Sequence, residues 1–387
     1  MAACSILRLE RCDLGPNPFV GVLYHWTGGL SSASCYLPFR SIRKWSWETY
    51  WLVQGFFSFL LAPLFAAFLL VPAVSTVLHQ TPWHTLALTY TWGLLWGVGG
   101  LTFGLTIRYL GIALGYAVAL GLTTAFGTLM PPLFAGEMPA LVHQAPGQVI
   151  LFGIAVCMVG IVLTGVAGYS KERELSAAEK QKTVVEFNFP KGIVVAIISG
   201  VMSACFAYGL ATGEPIGALA RSSLLAHGKA VQWQNLPILI VILMGGLTTN
   251  LSWCIFLMVR NRTASQLLDP KTALMQDAAG QRGDSSLVAM LLANYLLCAA
   301  AGILWYLQFF FYSIGQTKMG KYEFSSWTLH MASIIIFSTL WGIVLKEWKG
   351  TSNRTKVLVG LGLAVLLLST CLVGYGNYLN INFIPAG

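Results

Sequence analysis

Long apolar runs alternate with short polar connections along almost the whole chain. Each run is about as long as the roughly 20 residues that a helix needs to cross a bilayer, and charged residues, Pro or Gly separate it from the next. The ten runs cover roughly residues 19–39, 49–71, 84–106, 110–135, 148–169, 191–210, 236–259, 286–313, 322–345 and 356–376. The pattern predicts an all-α integral membrane protein with ten transmembrane helices.

A long polar connection rich in Lys, Glu and Gln, at residues 170–190, lies between the fifth and sixth runs. We treat it as a linker between a first five-helix repeat at 19–169 and a second at 191–376. Residues 1–18 then form an N-terminal extension, and residues 377–387 form a C-terminal tail. None of the polar segments is long enough to fold as a separate domain.

Sequence similarities indicate that the second half repeats the first. A stretch beginning GLLW at Gly93 and another beginning GILW at Gly302 each reach a further glycine 18 residues later. The other matching positions are Glu137 with Glu347, Gly29 with Gly200, Ser32 with Ser203 and Ala33 with Ala204. Since each half holds an odd number of helices, the second enters the membrane upside down, as in transporters with inverted repeats. Chance matching among abundant Gly, Leu and Trp residues is the alternative.

The charges predict which side of the membrane each connection occupies. Of the 23 Lys and Arg residues, 17 lie in the connections after runs one, three, five, seven and nine. Basic connections stay in the cytoplasm, so the 170–190 linker is predicted to be cytoplasmic and both termini to lie on the other side. The same connections account for the net charge of +9. They do not form the continuous basic face that nucleic acid requires, so no nucleic-acid partner is expected.

Composition and motifs argue against an enzyme. The chain is 56% hydrophobic and 10% charged, whereas soluble domains are about one quarter charged. All 14 acidic residues fall in connections or near the ends of runs, and no HExxH, GxSxG or P-loop motif occurs. The eight cysteines form no CxxC pair, so neither a disulfide framework nor a metal site is predicted. No cofactor is expected.

The ninth run begins with an unusual group of polar residues, in the sequence KYEFSSWTLHM. Glu323, Trp327 and His330 are spaced i, i+4 and i+7, so a helix that begins just after Gly320 presents them on one face. His330 then lies about 15 Å along the helix, near the middle of the bilayer. An imidazole exchanges a proton near neutral pH. Glu323, His330 and His25 in the first run are therefore candidates for proton coupling, with a structural histidine and an interfacial glutamate as the alternative.

Amide and aromatic side chains inside the runs predict a sugar site. Gln308 in the eighth run lies beside Trp305 and Tyr306, and the matching third run carries Trp92 and Trp96. A sugar stacks its C–H face on an aromatic ring, and its hydroxyl groups bond to amides. The candidates for sugar binding are Trp92, Trp96, Asn250, Trp305, Tyr306, Gln308 and Trp327. Ordinary packing between helices is the alternative for each aromatic residue.

Glycine pairs inside two of the runs predict interruptions of the helices, whereas the spacing of Gly93, Gly97 and Gly100 favours close contact between helices. They are Gly99-Gly100 and Gly245-Gly246, and a third break is predicted at Gly213-Glu214-Pro215. The ends of broken helices line the substrate cavities of many transporters.

Five motifs occur in one order along the chain. They are KWSWETYW at 44–51, GLTIRYLG at 104–111, ILWYLQFFFY at 303–312, YEFSSWTLHM at 322–331 and VLKEW at 344–348. These motifs closely resemble segments of the L-rhamnose–proton symporter family, within the drug/metabolite transporter superfamily. The resemblance covers about residues 20–376 and implies a multi-pass carrier of the bacterial inner membrane, with periplasmic termini.

The resemblance also implies a function. We expect uptake of L-rhamnose or a related 6-deoxyhexose, coupled to protons, by alternating access between the two halves. Among the candidates above, it carries over Trp305, Tyr306, Gln308, Glu323, Trp327, His330 and His25. An exporter of drugs or metabolites from the same superfamily is the alternative function, and a membrane glycosyltransferase is a more distant one. The sugar and membrane lipid are the expected partners, and the sequence does not predict an oligomeric state.

Overall fold

The computed structural model of the protein describes residues 15–110, 112–174, 188–268 and 284–382. These ranges contain helices and turns and no strand, which confirms the prediction of an all-α chain. In chain order the long helices are α1 (Pro18–Ser34), α2 (Trp47–Leu70), α3 (Trp83–Leu110), α4 (Ile112–Phe134), α5 (Ala145–Glu174), α6 (Phe189–Thr212), α7 (Leu236–Asn261), α8 (Asp284–Lys318), α9 (Ser326–Val344) and α10 (Asn353–Asn382). Most of the predicted extension at 1–18 and of the linker at 170–190 lies outside the described residues.

Eight helices of the described ranges are long and apolar enough to cross a membrane, namely α2 and α4 to α10. The other two are α1, which has 17 residues, and α3, in which Trp, Tyr, Thr and Gly replace many aliphatic residues. Large apolar side chains cover much of the outer surface, including Phe65 at 70% exposure and Val259 and Leu296 at 72%. Exposure of such an apolar surface is unfavourable in water and favourable in the hydrocarbon of a bilayer. The protein is therefore a multi-pass membrane protein.

The helix ends follow from local sequence signals. Asn17 caps α1 by accepting a hydrogen bond from the backbone N–H of Val20, and Asn188 caps α6 by accepting one from Lys191. Each cap satisfies an N–H that the first turn of a helix otherwise leaves without a partner. α6 ends at Thr212, and a short helix starts at Glu214, so the predicted break at Gly213-Glu214-Pro215 is confirmed.

Two other predicted breaks are wrong. α3 continues through Gly99-Gly100, and α7 continues through Gly245-Gly246. The reason is close packing, because the Cα of Gly245 lies against the carbonyl of Tyr90, where a side chain would overlap it. Small residues allow such contact between helices. α10 also continues to Asn382, beyond the predicted start of the C-terminal tail at residue 377.

A π-helical turn at Phe57–Leu61 interrupts the α-helical hydrogen bonding of α2. Within it, the N–H of Ala62 donates to the carbonyl of Phe57, five residues earlier. Pro63 follows and has no N–H, so the α-helical bond to the carbonyl of Phe59 cannot form, and a wider turn accommodates the change. The side chain of Phe59 is 6% exposed and packs inside the bundle.

The helices pack in pairs around a large apolar core. α3 lies against α6 and α7, α8 lies against α1 and α2, and α5 lies against α10. The core includes Phe206, Leu239, Ile242 and Tyr312, all at most 2% exposed. Because α2, α3, α6 and α8 meet around this core, their side chains enclose the site described below.

The contact between α8 and α2 depends on a glycine. A Cβ at Gly302 would lie 2.6 Å from the carbonyl oxygen of Gln54. We expect Gly302→Ala to lower the free energy of unfolding by about 1–3 kcal/mol, because overpacking forces the two backbones apart. Gly360→Ala in α10 is the matched control, since open space surrounds Gly360. Thermal melting of the purified protein in detergent tests this, and equal melting temperatures for the two variants would contradict it.

Candidate functional site

A cavity of about 940 Å³ enters the helix bundle from one end. Its mouth is lined by Arg40, Trp51 and Glu347, which lie in or beside the connections after α1 and α9. Its deepest lining residues are Trp327 and His330, at 2% and 0% exposure. The volume exceeds that of a monosaccharide, so this large cavity has room for a small solute and water together.

Four aromatic rings from three helices form a box on one wall of the large cavity. Phe59 lies 4.7 Å from Trp305, and Trp96 lies 5.7 Å from Trp305, measured between ring centroids. Phe309 completes the box at 5.0 Å from Trp305. Trp96 and Trp305 are half-buried and face the cavity. Flat apolar surfaces of this kind accept the C–H face of a sugar ring.

Polar side chains lie beside the box. Gln308 donates its Nε2 hydrogen to the carbonyl of Trp305 at 2.9 Å, which fixes the orientation of its amide. Asn250 also lines the cavity, and its Nδ2 has no hydrogen-bond partner among the described side chains and backbone. The two ring nitrogens of His330 are likewise without partners in that part of the chain. Buried polar groups are normally paired, so these nitrogens are unsatisfied donors or acceptors next to the cavity, buried below its surface.

A second, smaller cavity of about 190 Å³ lies at the opposite side of the core. Glu137, Gln316, Lys321 and Glu323 supply its polar lining, and Tyr312 is also part of it. Glu323 is solvent-accessible there, although it belongs to an apolar segment, Gly320–Val344. This small cavity therefore gives a carboxylate inside the bundle a contact with water.

An aromatic layer, formed by Phe206, Phe309, Tyr312 and Trp327, separates the two cavities. The ring of Phe206 lies 4.3 Å from Phe309 and 5.7 Å from Trp327, with which it stacks. Tyr312 meets Trp327 edge to face at 5.8 Å. All four side chains are at most 4% exposed. The layer blocks passage between the cavities in this conformation.

The Trp327 indole is fixed in the layer by α4. Its Nε1 donates to the carbonyl of Thr123 at 3.0 Å. Gly127, one turn further along α4, leaves the space that the indole occupies, since a Cβ there would overlap the ring. Gly127 lines the small cavity and Trp327 lines the large one, so the barrier at this point is a single contact thick.

His25 and His330 form a buried pair beside the aromatic layer. Both side chains are 0% exposed, and no ring nitrogen of either has a hydrogen-bond partner in the described ranges. Tyr312 packs against both, with ring centroids 5.3 Å from His25 and 5.2 Å from His330. His330 lines the large cavity, so the pair connects the core to that cavity.

The structure brings together most, not all, of the predicted site residues. The large cavity contains Trp96, Asn250, Trp305, Gln308, Trp327 and His330. Trp92 packs against Tyr208 and is not part of the lining. Tyr306 is buried in the core, also outside the lining.

Glu323 does not share a face with Trp327 and His330, contrary to the prediction from helical spacing. Glu323 lines the small cavity, whereas Trp327 and His330 line the large one. The reason is local, because Gly320–Ser325 is a 3₁₀ segment, whose tighter winding turns Glu323 away from the α-helical spacing. The regular helix begins only at Ser326. The sequence also did not identify Phe59, Phe206 or Tyr312. Tyr312 follows Gln308 by four residues, a spacing that places both on one side of α8.

Two cavities that approach each other from opposite sides of a membrane bundle, with a closed layer between them, define a membrane carrier for a small solute. Among the described residues, no three His, Cys, Asp or Glu side chains lie close enough together to hold a metal ion.

Comparison with known proteins then assigns the family. The chain matches the model of the L-rhamnose-proton symport protein family (RhaT) over residues 17–378, and it belongs to that family. It is 33% identical to L-rhamnose-proton symporters of Salmonella paratyphi A, Salmonella paratyphi B and Salmonella newport, over 358 residues in each case. The alignment covers 92% of this chain and 97% of each relative. The family is one of transporters and not of enzymes, and the match confirms the resemblance of the five motifs.

The large cavity should be open to water-soluble reagents. Ser338 lines it and is exposed, whereas Ser333, on the same helix, is fully buried. With the exposed Cys371 replaced by Ala, we expect a charged maleimide to label Ser338→Cys at least about tenfold faster than Ser333→Cys, because thiol reactivity follows access. Mass spectrometry of the purified protein measures both rates. Similar rates would show that the large cavity is closed.

Proposed function

We propose that this protein takes up L-rhamnose, or a related 6-deoxyhexose, together with protons. The single observation that carries the proposal is the large cavity, in which an aromatic box and the amide side chains of Asn250 and Gln308 stand together in a chain of the RhaT family. Relatives named as L-rhamnose-proton symporters align over nearly their whole length. The coupling ion is the proton, and transport needs no cofactor.

The sugar binds at the closed end of the large cavity. Its apolar face stacks on Trp305 or Trp96, and its hydroxyl groups bond to Gln308, Asn250 and His330. The mixture of flat rings and amides supports this arrangement, because a 6-deoxy sugar presents both a C–H face and a ring of hydroxyl groups. Trp327 forms the floor of the site and separates the bound sugar from the small cavity.

The chain crosses the membrane ten times, as two inverted five-helix repeats. Support comes from the packing, in which the pairs α3–α6, α4–α6 and α3–α7 have the counterparts α8–α1, α9–α1 and α8–α2. Each pair in the second set is obtained from a pair in the first by replacing each helix with the equivalent helix of the other repeat, five positions earlier or later in the chain. Such a pattern is expected of two repeats related by a twofold axis in the membrane plane.

Residues at matching positions of the repeats make matching contacts. Asn17 and Asn188 cap α1 and α6 in the same way. Gly93 of α3 lies against the backbone of α7, and Gly302 of α8 lies against the backbone of α2. This similarity favours a true repeat over chance matches among common residues.

The large cavity opens to the cytoplasm and the small one to the periplasm of a bacterial inner membrane. Arg40 stands at the mouth of the large cavity, next to the basic residues after α1, and basic connections stay cytoplasmic. Glu347 lies at that mouth, while its repeat partner Glu137 lines the small cavity. Both termini are therefore periplasmic. Transport alternates between this inward-open form and one in which the small cavity widens.

Proton coupling uses Glu323, His330 and His25. Glu323 meets water in the small cavity and receives a proton from outside. Protonation removes a charge from the bundle, which favours closure around the loaded site, since a charge inside a membrane protein is costly. His330 lines the sugar site, so its protonation state and the bound sugar influence each other directly. Release of both follows on the cytoplasmic side.

We expect Glu323→Gln and His330→Ala to abolish the stimulation of L-rhamnose uptake by an imposed pH gradient. Each change removes a group that exchanges protons. Uptake of radiolabelled sugar into membrane vesicles, with and without the gradient, measures the effect. Glu172→Gln, at the end of α5 and outside both cavities, is the control. Full stimulation in both variants would end the proposal for these residues.

We expect Trp305→Ala to raise the half-saturating concentration of L-rhamnose about tenfold, a loss of about 1.4 kcal/mol. The stacking surface of the site is removed. Trp83→Ala serves as the control, because Trp83 is 78% exposed and lines neither cavity. An unchanged value for Trp305→Ala would place the sugar elsewhere.

Alkalinisation of a cell suspension on addition of L-rhamnose distinguishes uptake from the alternative of drug export.

A further inference from the structure

Tyr312 has a position that no other member of the aromatic layer shares. Phe206, Phe309 and Trp327 do not line the small cavity, whereas Tyr312 does. Among the four residues of the layer, Tyr312 is the one with a hydroxyl group. The indole N–H of Trp327 is the other polar hydrogen of the layer, and it is bonded to the carbonyl of Thr123. The layer is thus apolar except at Tyr312, where a group able to exchange a proton reaches the same cavity as Glu323.

The ring of Tyr312 also contacts the histidine pair. Its centroid lies 5.3 Å from that of His25 and 5.2 Å from that of His330. The neighbouring turn of α8 is shaped to admit His25, since a Cβ at Gly315 would lie 2.9 Å from the Cε1 and Nε2 atoms of its ring. Four ring nitrogens without partners in the described chain therefore lie around one phenol.

These contacts form a continuous series of groups across the closed layer. Glu323 and Tyr312 line the small cavity, Tyr312 touches both histidines, and His330 lines the large cavity. Beside this series the barrier consists of phenyl rings and of the Trp327 indole, whose N–H is bonded to the carbonyl of Thr123. When the protonated, loaded carrier closes around the sugar, a proton that crosses the layer therefore has its shortest path through Tyr312.

We propose that Tyr312 relays the proton from Glu323 to the His25–His330 pair. This inference rests on the proposed function of proton-coupled uptake and adds a residue to it. Tyr312 is a positioning and relay group and does not bind the sugar, since it is absent from the lining of the large cavity.

The relay step conserves atoms and charge. The O–H bond of the protonated Glu323 carboxyl breaks as the phenol oxygen accepts its proton, directly or through one water. The phenol O–H bond breaks in turn, and its proton passes through one water to form an N–H bond on His330 or His25, since none of their ring nitrogens is hydrogen-bonded to the phenol itself. Glu323 ends as a carboxylate, one imidazole ends as an imidazolium, and Tyr312 ends neutral.

Other titratable and charged groups face this series from the packed elements. The connection after α4 contributes Glu137, the helix after α6 contributes Glu214, and the 3₁₀ segment before α9 contributes Lys321. α1 contributes His25 and α9 contributes His330. Removal of one phenol hydroxyl leaves all of these groups in place, which makes a specific test available.

The test compares Tyr312→Phe with wild type and with Tyr24→Phe in reconstituted vesicles. Tyr24 loses the same hydroxyl, stacks on Phe311 next to Tyr312 and lines neither cavity. Two rates are measured for each protein. One is uptake of L-rhamnose driven by a pH gradient, and the other is exchange of labelled for unlabelled L-rhamnose without a gradient, which needs sugar binding and alternation and no net proton movement.

We expect Tyr312→Phe to lose gradient-driven uptake by about a hundredfold, the lower end of the range for positioned proton-transfer groups. Its exchange rate stays close to that of wild type, and Tyr24→Phe matches wild type in both assays. Full gradient-driven uptake by Tyr312→Phe overturns the relay, and so does a parallel loss of exchange, since Tyr312 would then act in sugar movement itself. Absence of sugar-dependent proton flux in wild type overturns the proposed function, a separate result.

Discussion

Two water-accessible cavities approach each other inside the helix bundle, and an apolar contact between four aromatic side chains keeps them apart. Phe206 lies at the centre of this contact, within 6.3 Å of the rings of Phe309, Tyr312 and Trp327. The remaining architecture serves to hold these rings in place. α4 fixes Trp327 through a backbone carbonyl and a glycine. α8 supplies Phe309 and Tyr312 on adjacent turns, and α6 supplies Phe206. Rings pack efficiently and leave no path for water, so a barrier one side chain thick is sufficient.

The hydropathy pattern predicted the long helices of the described ranges, because lipid requires each spanning segment to satisfy its own backbone hydrogen bonds. Polarity within apolar runs was similarly informative. A buried amide or imidazole is costly in a membrane bundle, so Gln308, Asn250 and His330 were candidates from the sequence, and all three line the large cavity. Aromatic residues predicted the cavity lining less well than polar residues did. Trp96 and Trp305 face the cavity while Trp92 packs against Tyr208, and helical spacing alone does not distinguish these outcomes.

The failures of sequence reasoning have local physical causes. Glu323 left the face predicted for it because a 3₁₀ segment precedes the regular helix, and the rule of i, i+4 and i+7 holds only where the helix is regular. Phe59 belongs to the π-helical turn at Phe57–Leu61, before Pro63, and the sequence alone does not show how such a turn directs a side chain. Phe206 lies in an apolar run without polar neighbours, and long-range packing alone gives it its position. The glycine pairs of α3 and α7 allow close contact between helices and do not break them. A glycine pair in a sequence is compatible with either a helix break or a close contact.

The hydrogen bond from the Trp327 indole to the Thr123 carbonyl has a consequence for the rate of idle turnover. If the proposed alternation widens the small cavity by separating α4 from α9, the indole N–H and the carbonyl lose their hydrogen bond, in surroundings where an unpaired buried group costs about 1–3 kcal/mol. A bound solute rich in hydroxyl groups would replace that bond, and an empty carrier would not. Under the proposed function, the contact that seals the barrier would then also slow futile cycling and limit dissipation of the proton gradient when sugar is scarce.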